Sequence, residues 1–356
     1  TPCEHSFPTR RSSDLYIKRI LADTYSSQRR GGKGIQAMST KEDDFVENVF
    51  IASTHSDLLF FTNRGKVYKL RAYEIPDAGR TAKGTNLINI IPITPGEKIE
   101  AVLAIKDNKL DGNLVMVTRK GVIKKTPLKG FINIRRNGMN AITLREGDEL
   151  LKVKLTYGDA EIIIVTNYGY AIRISEKDVR AMGRNAAGVK ALTLREDDKV
   201  VSIDIIVPDE DLLIVSENGF GKRTNISKYQ LQKRGGKGVK TYKRNEKTGN
   251  VVGARICNED DELMLVNSSG VAIRINVDGV AQTGRNTSGV TLMKTKGEEQ
   301  VVAIAKIKSS EDNESIDGDI IIIEDNESID GDIIIIEDNE QKDEPEISSE
   351  VIDDEE

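Results

Sequence analysis

An arginine returns at nearly constant intervals along this chain, as Arg30, Arg80, Arg136, Arg184, Arg234 and Arg285, in steps of 50, 56, 48, 50 and 51 residues. This recurrence constrains the fold more than any other feature, because the offsets inside the repeat are also fixed. From the second repeat on, a glycine stands fifteen residues before the arginine: Gly65, Gly121, Gly169, Gly219 and Gly270. A cation follows each of these glycines by four residues, as Lys69, Lys125, Arg173, Arg223 and Arg274. Four residues after most of the arginines comes another glycine (Gly34, Gly84, Gly188, Gly238, Gly289), and only the third repeat breaks this, with Asn140. Units of about 50 residues that cannot each bury an apolar face alone predict a propeller or related toroid.

The units read as β-sheet. Short β-branched or aromatic runs precede each hairpin glycine: Leu58 to Thr62, Leu114 to Thr118, Ile162 to Thr166, Leu212 to Ser216 and Leu263 to Asn267. The segments TNRGK, TRKGV, TNYGY, SENGF and NSSGV then turn the chain back, with glycine supplying the positive φ that a short hairpin loop needs. No segment carries an apolar i, i+3, i+4, i+7 stripe over three turns, so helices are not expected.

Both ends depart from the repeat. Projected back from Arg30, the first hairpin glycine falls on Leu15, yet the cation four residues on is present as Arg19. The repeat is therefore genuine from about Tyr16, and residues 1–15 resemble the conceptual translation of a sequencing adapter joined to a truncated reading frame. The first blade is expected to lack its opening strand.

Residues 309–356 hold 21 Asp and Glu against a single Lys342, a net of −20. The preceding 308 residues hold 51 basic and 37 acidic side chains, a net of +14. The acidic balance of the whole chain thus hides a basic domain, the footprint of a polyanion binder carrying its own competitor.

The tail duplicates EDNESIDGDIIII, at Glu311 to Ile323 and Glu324 to Ile336. Asn313, Ser315, Asp317, Gly318, Ile320 and Glu324 fall near EF-hand loop positions, but the first is not Asp and no flanking helix is predicted. Composition predicts a disordered acidic tail, whose Ile runs could add a strand to a sheet edge.

Other chemistry is sparse. Cys3 and Cys257 cannot make a disulfide framework or a metal site, and a reducing cytosol fits them. With only His5 and His55, a histidine-based catalytic centre would rest on His55 alone. GRTAKGT at Gly79 to Thr85 mimics a phosphate loop without its lysine or following helix. No apolar run reaches membrane-spanning length. Carboxylates form no paired signature, and Asp43, Asp44, Asp197 and Asp198 read as solvated hairpin tips.

Equivalent positions in a toroid face the same way, so Arg19, Lys69, Lys125, Arg173, Arg223 and Arg274 are expected to form one ring of charge. The loop arginines (Arg30, Arg80, Arg136, Arg184, Arg234, Arg285) are expected to form a second. If each of six blades neutralises about two phosphates, the slope of log K against log salt is about −11, independent of base sequence. Aromatic residues make up 4% of the chain and Trp is absent, which disfavours stacking on single strands. The glycines of the first loop, Gln28-Arg29-Arg30-Gly31-Gly32-Lys33-Gly34, would let backbone amides and flanking cations approach phosphates. A second copy, Gln232-Lys233-Arg234-Gly235-Gly236-Lys237-Gly238, follows 204 residues later.

At these residues the chain closely resembles the C-terminal domain of the DNA gyrase A protein, whose signature heptapeptide matches Gln28, Arg29, Arg30, Gly31, Gly32, Lys33 and Gly34. The resemblance covers residues 16–308. It implies an all-β, six-bladed β-pinwheel with hairpin-exchanging strands, here with a truncated first blade, that wraps duplex DNA so that an ATP-dependent type II topoisomerase can introduce negative supercoils. It implies a non-catalytic role, since the family's catalytic Tyr belongs to an upstream domain and Tyr25 should not be mistaken for it. No cofactor is expected here, with ATP and Mg used by other domains of the enzyme. The implied partners are double-stranded DNA and the rest of gyrase A with gyrase B in an A2B2 complex, in a cytoplasmic, nucleoid-associated setting. The second copy is expected to be an auxiliary contact. The related topoisomerase IV protein, with fewer or degenerate boxes, is disfavoured by the intact residues 28–34. A propeller that scaffolds protein partners is disfavoured by the net charge of +14.

Overall fold

The computed structural model describes residues 15–21, 44–52, 55–78, 84–105, 110–269, 271–295, 297, 299–307 and 319–326. These form six sheets, one for each repeat, and no α-helix. Blades 2 to 6 open with a hairpin: Asp57–Thr62 with Lys66–Arg71, Asn113–Thr118 with Val122–Pro127, Glu161–Thr166 with Tyr170–Ser175, Asp211–Ser216 with Phe220–Asn225, and Glu262–Asn267 with Ala272–Asn276. An inner strand then pairs with the first strand of its own hairpin: Ile99–Ile105, Leu150–Thr156, Val200–Ile205, Val251–Cys257 and Val301–Ile307. These five inner strands lie side by side in sequence order, which sets the blades next to one another as in a propeller.

The outer edge of the sheets of blades 1 to 5 comes from the following repeat. Thr85–Asn86 pairs with Leu15–Leu21, Met139–Asn140 with Lys66–Arg71, Val189–Lys190 with Val122–Pro127, and Val290–Thr291 with Phe220–Asn225. Blade 4 receives two such pieces, Leu231–Gln232 and Val239–Lys240. Blade 6 has three strands among the described residues. This exchange is the topology that the family resemblance implies.

The exchange also explains the glycine after each loop. Gly238 has φ +68°, and a Cβ there would lie 2.6 Å from the Ala171 carbonyl oxygen, so only glycine lets the incoming strand reach the neighbouring blade. In the third repeat the same place is held by Gly138 (φ +75°), immediately before Met139–Asn140. The apparent break at Asn140 is thus a loop two residues shorter, with Gly138 coming 17 residues after Gly121 where Gly188 comes 19 after Gly169. Counted from the glycine, the counterpart of Arg184 is Ile134, and Arg136 is displaced from the loop-arginine position.

The first strands are uninterrupted apolar runs because both faces are covered. Leu58 and Phe60 pack with Tyr68, Leu70 and Ile17 of blade 1, whereas Leu59 and Phe61 pack with Leu114, Met116 and Phe131 of blade 3. Leu212 and Ile214 face blade 4 and Leu213 and Val215 face blade 6 in the same way. The core is therefore a series of layers between blades. Asp198, expected at a solvated tip, is buried and accepts from the amides of Tyr168 (3.0 Å) and Lys199 (2.9 Å). Asp44 begins a strand, Asp197 is exposed, and Asp43 lies outside the described residues.

The tail also contributes. Asp319–Asn326 is a strand, where composition predicts disorder. It sits between Leu15–Leu21 and Asp44–Ala52, in the interior of blade 1 and not at a sheet edge.

Candidate nucleic-acid interface

The second cationic loop is held as part of a continuous row. Gly235 donates its amide to the Ala191 carbonyl (2.6 Å), while Thr193 donates its amide to Gly236 (2.8 Å) and its hydroxyl to Gly235 (2.8 Å). Thr193 belongs to the loop of the preceding repeat, so each loop is stitched to its neighbour. The same stitch joins Thr143 to the carbonyls of Asn185 (2.9 Å) and Ala186 (3.3 Å). It recurs as Lys243 bonded to Thr287 (3.0 Å) and Ser288 (2.7 Å). Thr143, Thr193 and Lys243 are 50 residues apart, one per blade.

On this row Lys233, Arg234 and Lys237 are exposed. Arg234 donates to two neutral carbonyls, Asp178 (3.1 Å) and Lys190 (3.3 Å), so its orientation is fixed while its charge stays uncompensated. Arg195 reaches the Lys237 carbonyl (3.4 Å) and lies 3.1 Å above the Tyr170 ring, a cation–π contact that props the loop from beneath. Gly235 has φ +87° with open space where a Cβ would stand, which leaves the loop backbone approachable. Arg136 is exposed, whereas Arg184 and Arg285 are half-buried. The first heptapeptide, Gln28 to Gly34, and Arg80 lie outside the described residues.

The other expected ring is differently disposed. Lys125 and Arg223 are buried, and Arg19, Lys69 and Arg173 are half-buried. Each meets a carboxylate: Arg19 with Asp77 (2.7 Å), Lys69 with Asp57 (3.3 Å), Lys125 with Glu176 (3.6 Å), Arg173 with Glu161 (2.5 Å), Arg223 with Asp211 (3.4 Å) and Glu259 (2.6 Å), and Arg274 with Glu262. Five of them also donate to a carbonyl of the next repeat, at Ile75, Ile132, Glu176, Ile226 with Tyr229, and Val280. This geometry makes them clamps between successive repeats. The sequence carries the signal, an acid twelve residues before the cation at Asp57, Glu161, Asp211 and Glu262. Asn113 replaces the acid in blade 3, and Glu176 serves Lys125 instead, holding Asn113 (3.3 Å) and the amides of Gly158 (3.1 Å) and Ala160 (3.2 Å).

Two further pairs of lysines were not singled out from sequence. Lys190 and Lys240 are exposed at the second position of exchanged strands, and the repeated tripeptide Gly-Val-Lys at 188–190 and 238–240 marks them. Beneath the loops, Lys124 and Lys222 are fully buried. Lys124 donates to the carbonyls of Ala141 (2.6 Å) and Arg184, and Lys222 to those of Gly284 (2.6 Å) and Arg285 (2.5 Å). Burial lowers both pKa values to about 8, helped at Lys124 by the Arg184 charge. Each fixes a loop arginine through its backbone, and the Arg184 guanidinium rests against the Met139 sulfur (2.6 Å).

The described residues hold no cluster of three or more potential metal ligands and no helix long and apolar enough to cross a membrane. Cys257 is buried against the Asp211 carbonyl (3.7 Å), and burial pushes its thiol up to about 12, which makes it a poor nucleophile.

The model of the family described as DNA gyrase C-terminal domain, beta-propeller, matches six segments, at residues 16–53, 56–106, 112–156, 160–206, 210–258 and 261–308. The DNA gyrase A protein of Clostridium acetobutylicum is 57% identical over 302 residues, covering 85% of this chain and 36% of that protein. Its counterpart in Halalkalibacterium halodurans is 55% identical over 297 residues, covering 83% of this chain and again 36% of the relative. The chain thus spans about a third of the length of these relatives. Among solved structures, a DNA gyrase A C-terminal domain superposes with a TM-score of 0.64 at 29% identity, covering 83% of this chain and all of that one. The C-terminal domain of a DNA topoisomerase IV superposes with a TM-score of 0.68 at 29% identity, covering 72% of this chain and 80% of that one. With all six repeats matched and the strand exchange in place, the chain belongs to the DNA gyrase C-terminal domain family.

Proposed function

We propose that this chain binds duplex DNA along the row of stitched cationic loops and bends it around the blades, without reading base sequence, as the wrapping domain of a gyrase A protein. The observation that carries the reading is the stitched loop row, on which Lys233, Arg234 and Lys237 are exposed and Arg184 and Arg285 hold the equivalent positions half-buried. The clamping cations are largely spent on carboxylates, so phosphate contact falls to the loops. Six loop arginines alone give a log–log salt slope of about −5, roughly half of what two full rings would give.

Cleavage, religation and ATP hydrolysis, with their Mg, belong in this reading to the rest of gyrase A and to gyrase B in an A2B2 assembly, within the cytoplasm. The wrapped segment is handed to the cleavage gate, which makes strand passage introduce negative supercoils. The 57% identity to the gyrase A protein of Clostridium acetobutylicum supports this reading, whereas the solved gyrase A and topoisomerase IV domains, both 29% identical, do not separate the two.

The test is ligation of nicked circular DNA in the presence of the chain. Topoisomers with trapped positive writhe are the expected product, and a distribution unchanged by the chain would overturn the proposal. In the complete enzyme, replacing Arg29, Arg30 and Lys33 by Ala should abolish supercoiling while sparing relaxation.

A further inference from the structure

Aromatic residues are scarce in this chain, yet three of them stand in two adjacent hairpin turns, Tyr168 and Tyr170 on either side of Gly169 and Phe220 after Gly219. The turns of blades 2, 3 and 6 (TNRGK, TRKGV and NSSGV) have none. All three rings are half-buried, and each has a cation over it. The Arg195 guanidinium lies 3.1 Å from the Tyr170 centroid, that of Arg244 lies 4.0 Å from Tyr168, and the Lys247 ammonium lies 5.4 Å from Phe220. These cations come from the turns that follow the exchanged strands, Arg195 after Val189–Lys190 and the other two after Val239–Lys240.

Carboxylates are close in sequence and are not used. Glu196 and Asp197 follow Arg195 directly, and Glu246 stands between Arg244 and Lys247, yet among the described residues none of the three cations forms an ion pair. Arg244 donates to the side-chain oxygen of Asn250 (2.8 Å), and the Asn250 amide donates in turn to Glu217 (3.1 Å), so a neutral group separates the guanidinium from that carboxylate. A ring face orients a cation without cancelling its charge, the reverse of the clamps, where a carboxylate takes the charge up. The seats also adjoin the second cationic loop. Arg195 reaches the Lys237 carbonyl (3.4 Å), and Tyr170 is opposed in register by the exposed Lys240.

We propose that Arg195, Arg244 and Lys247, seated on Tyr170, Tyr168 and Phe220, form a second line of phosphate contacts for duplex DNA, on the hairpin-turn side of the loop row in blades 4 and 5. The line widens the cationic rim where the second heptapeptide stands, so the duplex is held there by loop and turns together. This inference rests on the DNA reading and adds contacts that the loop arginines do not supply. The rings act as seats for cations and not as platforms for bases, which suits a duplex whose bases stay stacked. Three such contacts steepen the log–log salt slope by about 2.7, at about 0.9 each.

Fluorescence anisotropy of a labelled duplex with the full chain, across a salt series, tests the line. Arg244→Ala with Lys247→Ala touches no residue of the second loop and should make the slope shallower by about 1.8, so that between about 50 and 200 mM salt the affinity falls about 12-fold less than in the parent. Adding Arg195→Ala should bring the change to about 2.7. Tyr168→Leu with Tyr170→Leu keeps every cation but removes two seats. It should leave the slope in place and weaken binding about fivefold at fixed salt, because the cations must then be ordered on binding, whereas the corresponding Phe pair should match the parent. Urea unfolding of each variant confirms that the chain compared is folded. A parental slope in both charge variants, with a shallower slope on replacing Lys233, Arg234 and Lys237, overturns the second line and leaves the DNA reading standing. A loss confined to the variant that includes Arg195→Ala places the effect in the Lys237 loop and also overturns it. Equal affinities for the Leu and Phe pairs overturn the role of the rings. A parent chain without salt-dependent duplex binding removes the DNA reading itself, and this inference with it.

Discussion

The two sets of cations differ in what they face, and replacing one of each kind tests that difference quantitatively. In the second loop, Lys233, Arg234 and Lys237 are exposed, and Arg234 bonds only to carbonyls. Replacing all three by Ala removes no buried partner, so stability should change by less than about 1 kcal/mol. If all three meet phosphates, the salt slope becomes shallower by about 2.7, at about 0.9 per contact. Between about 50 and 200 mM salt the affinity of the variant would then fall by about 40-fold less than that of the parent.

Arg223→Ala is the counterpart. Arg223 is 8% exposed and holds Asp211, itself 5% exposed, which would keep only Asn225 (3.3 Å) and Gln282 (2.8 Å). An uncompensated buried carboxylate costs about 3–5 kcal/mol, and the salt slope of the chain that remains folded should not move. Fluorescence anisotropy of a labelled duplex across a salt series, together with urea unfolding of each variant, reads both quantities. A loop variant with the parental slope, or an Arg223 variant that loses slope without losing stability, would refute the division into rim contacts and clamps.

Other outcomes follow from single positions. Gly238→Ala should cost about 2–4 kcal/mol, from the left-handed backbone penalty and the crowding against Ala171. Gly183→Ala, where a Cβ meets nothing within 4 Å, should be close to neutral in the same urea titration. Lys222 releases its proton near pH 8 in the folded chain and near 10.5 when unfolded, so between those values the unfolded state binds more protons and stability at this position rises with pH. Lys222→Met should lack that rise, and equal pH slopes for the two proteins between pH 8 and 10 would contradict the buried-lysine assignment. Deleting residues 343–356 removes eight acids while leaving both Ile copies in place, and should tighten DNA binding several-fold at low salt. An unchanged affinity would dispose of the tail as a competitor.

The periodic features were legible before any coordinates because a repeat protein uses the same local solution six times. Hairpin glycines, apolar runs and cations keep fixed offsets wherever the same turn and pairing recur. The clamp was legible too, in the acid twelve residues before the cation, but reading the cation alone turned an internal ion pair into an expected surface ring. Charge type and period do not reveal whether a side chain meets solvent or a carboxylate from its own hairpin. Lys124 and Lys222 were hidden for the same reason, since the loop carbonyls they reach, at Arg184 and Gly284, lie about 60 residues away in a neighbouring repeat.

What the sequence determined by itself is the unit: a six-fold series of β-hairpins with an outward-facing cationic loop, set by local turn chemistry and apolar patterning. Tertiary structure alone decided how units join. The strand exchange that moves the third repeat's glycine to Gly138, and the entry of Asp319–Asn326 into blade 1, depend on which backbone edges are left unpaired when the sheets assemble. An isoleucine run beside acids reads as a solvated tail until an open slot between two strands offers its amides and carbonyls a partner.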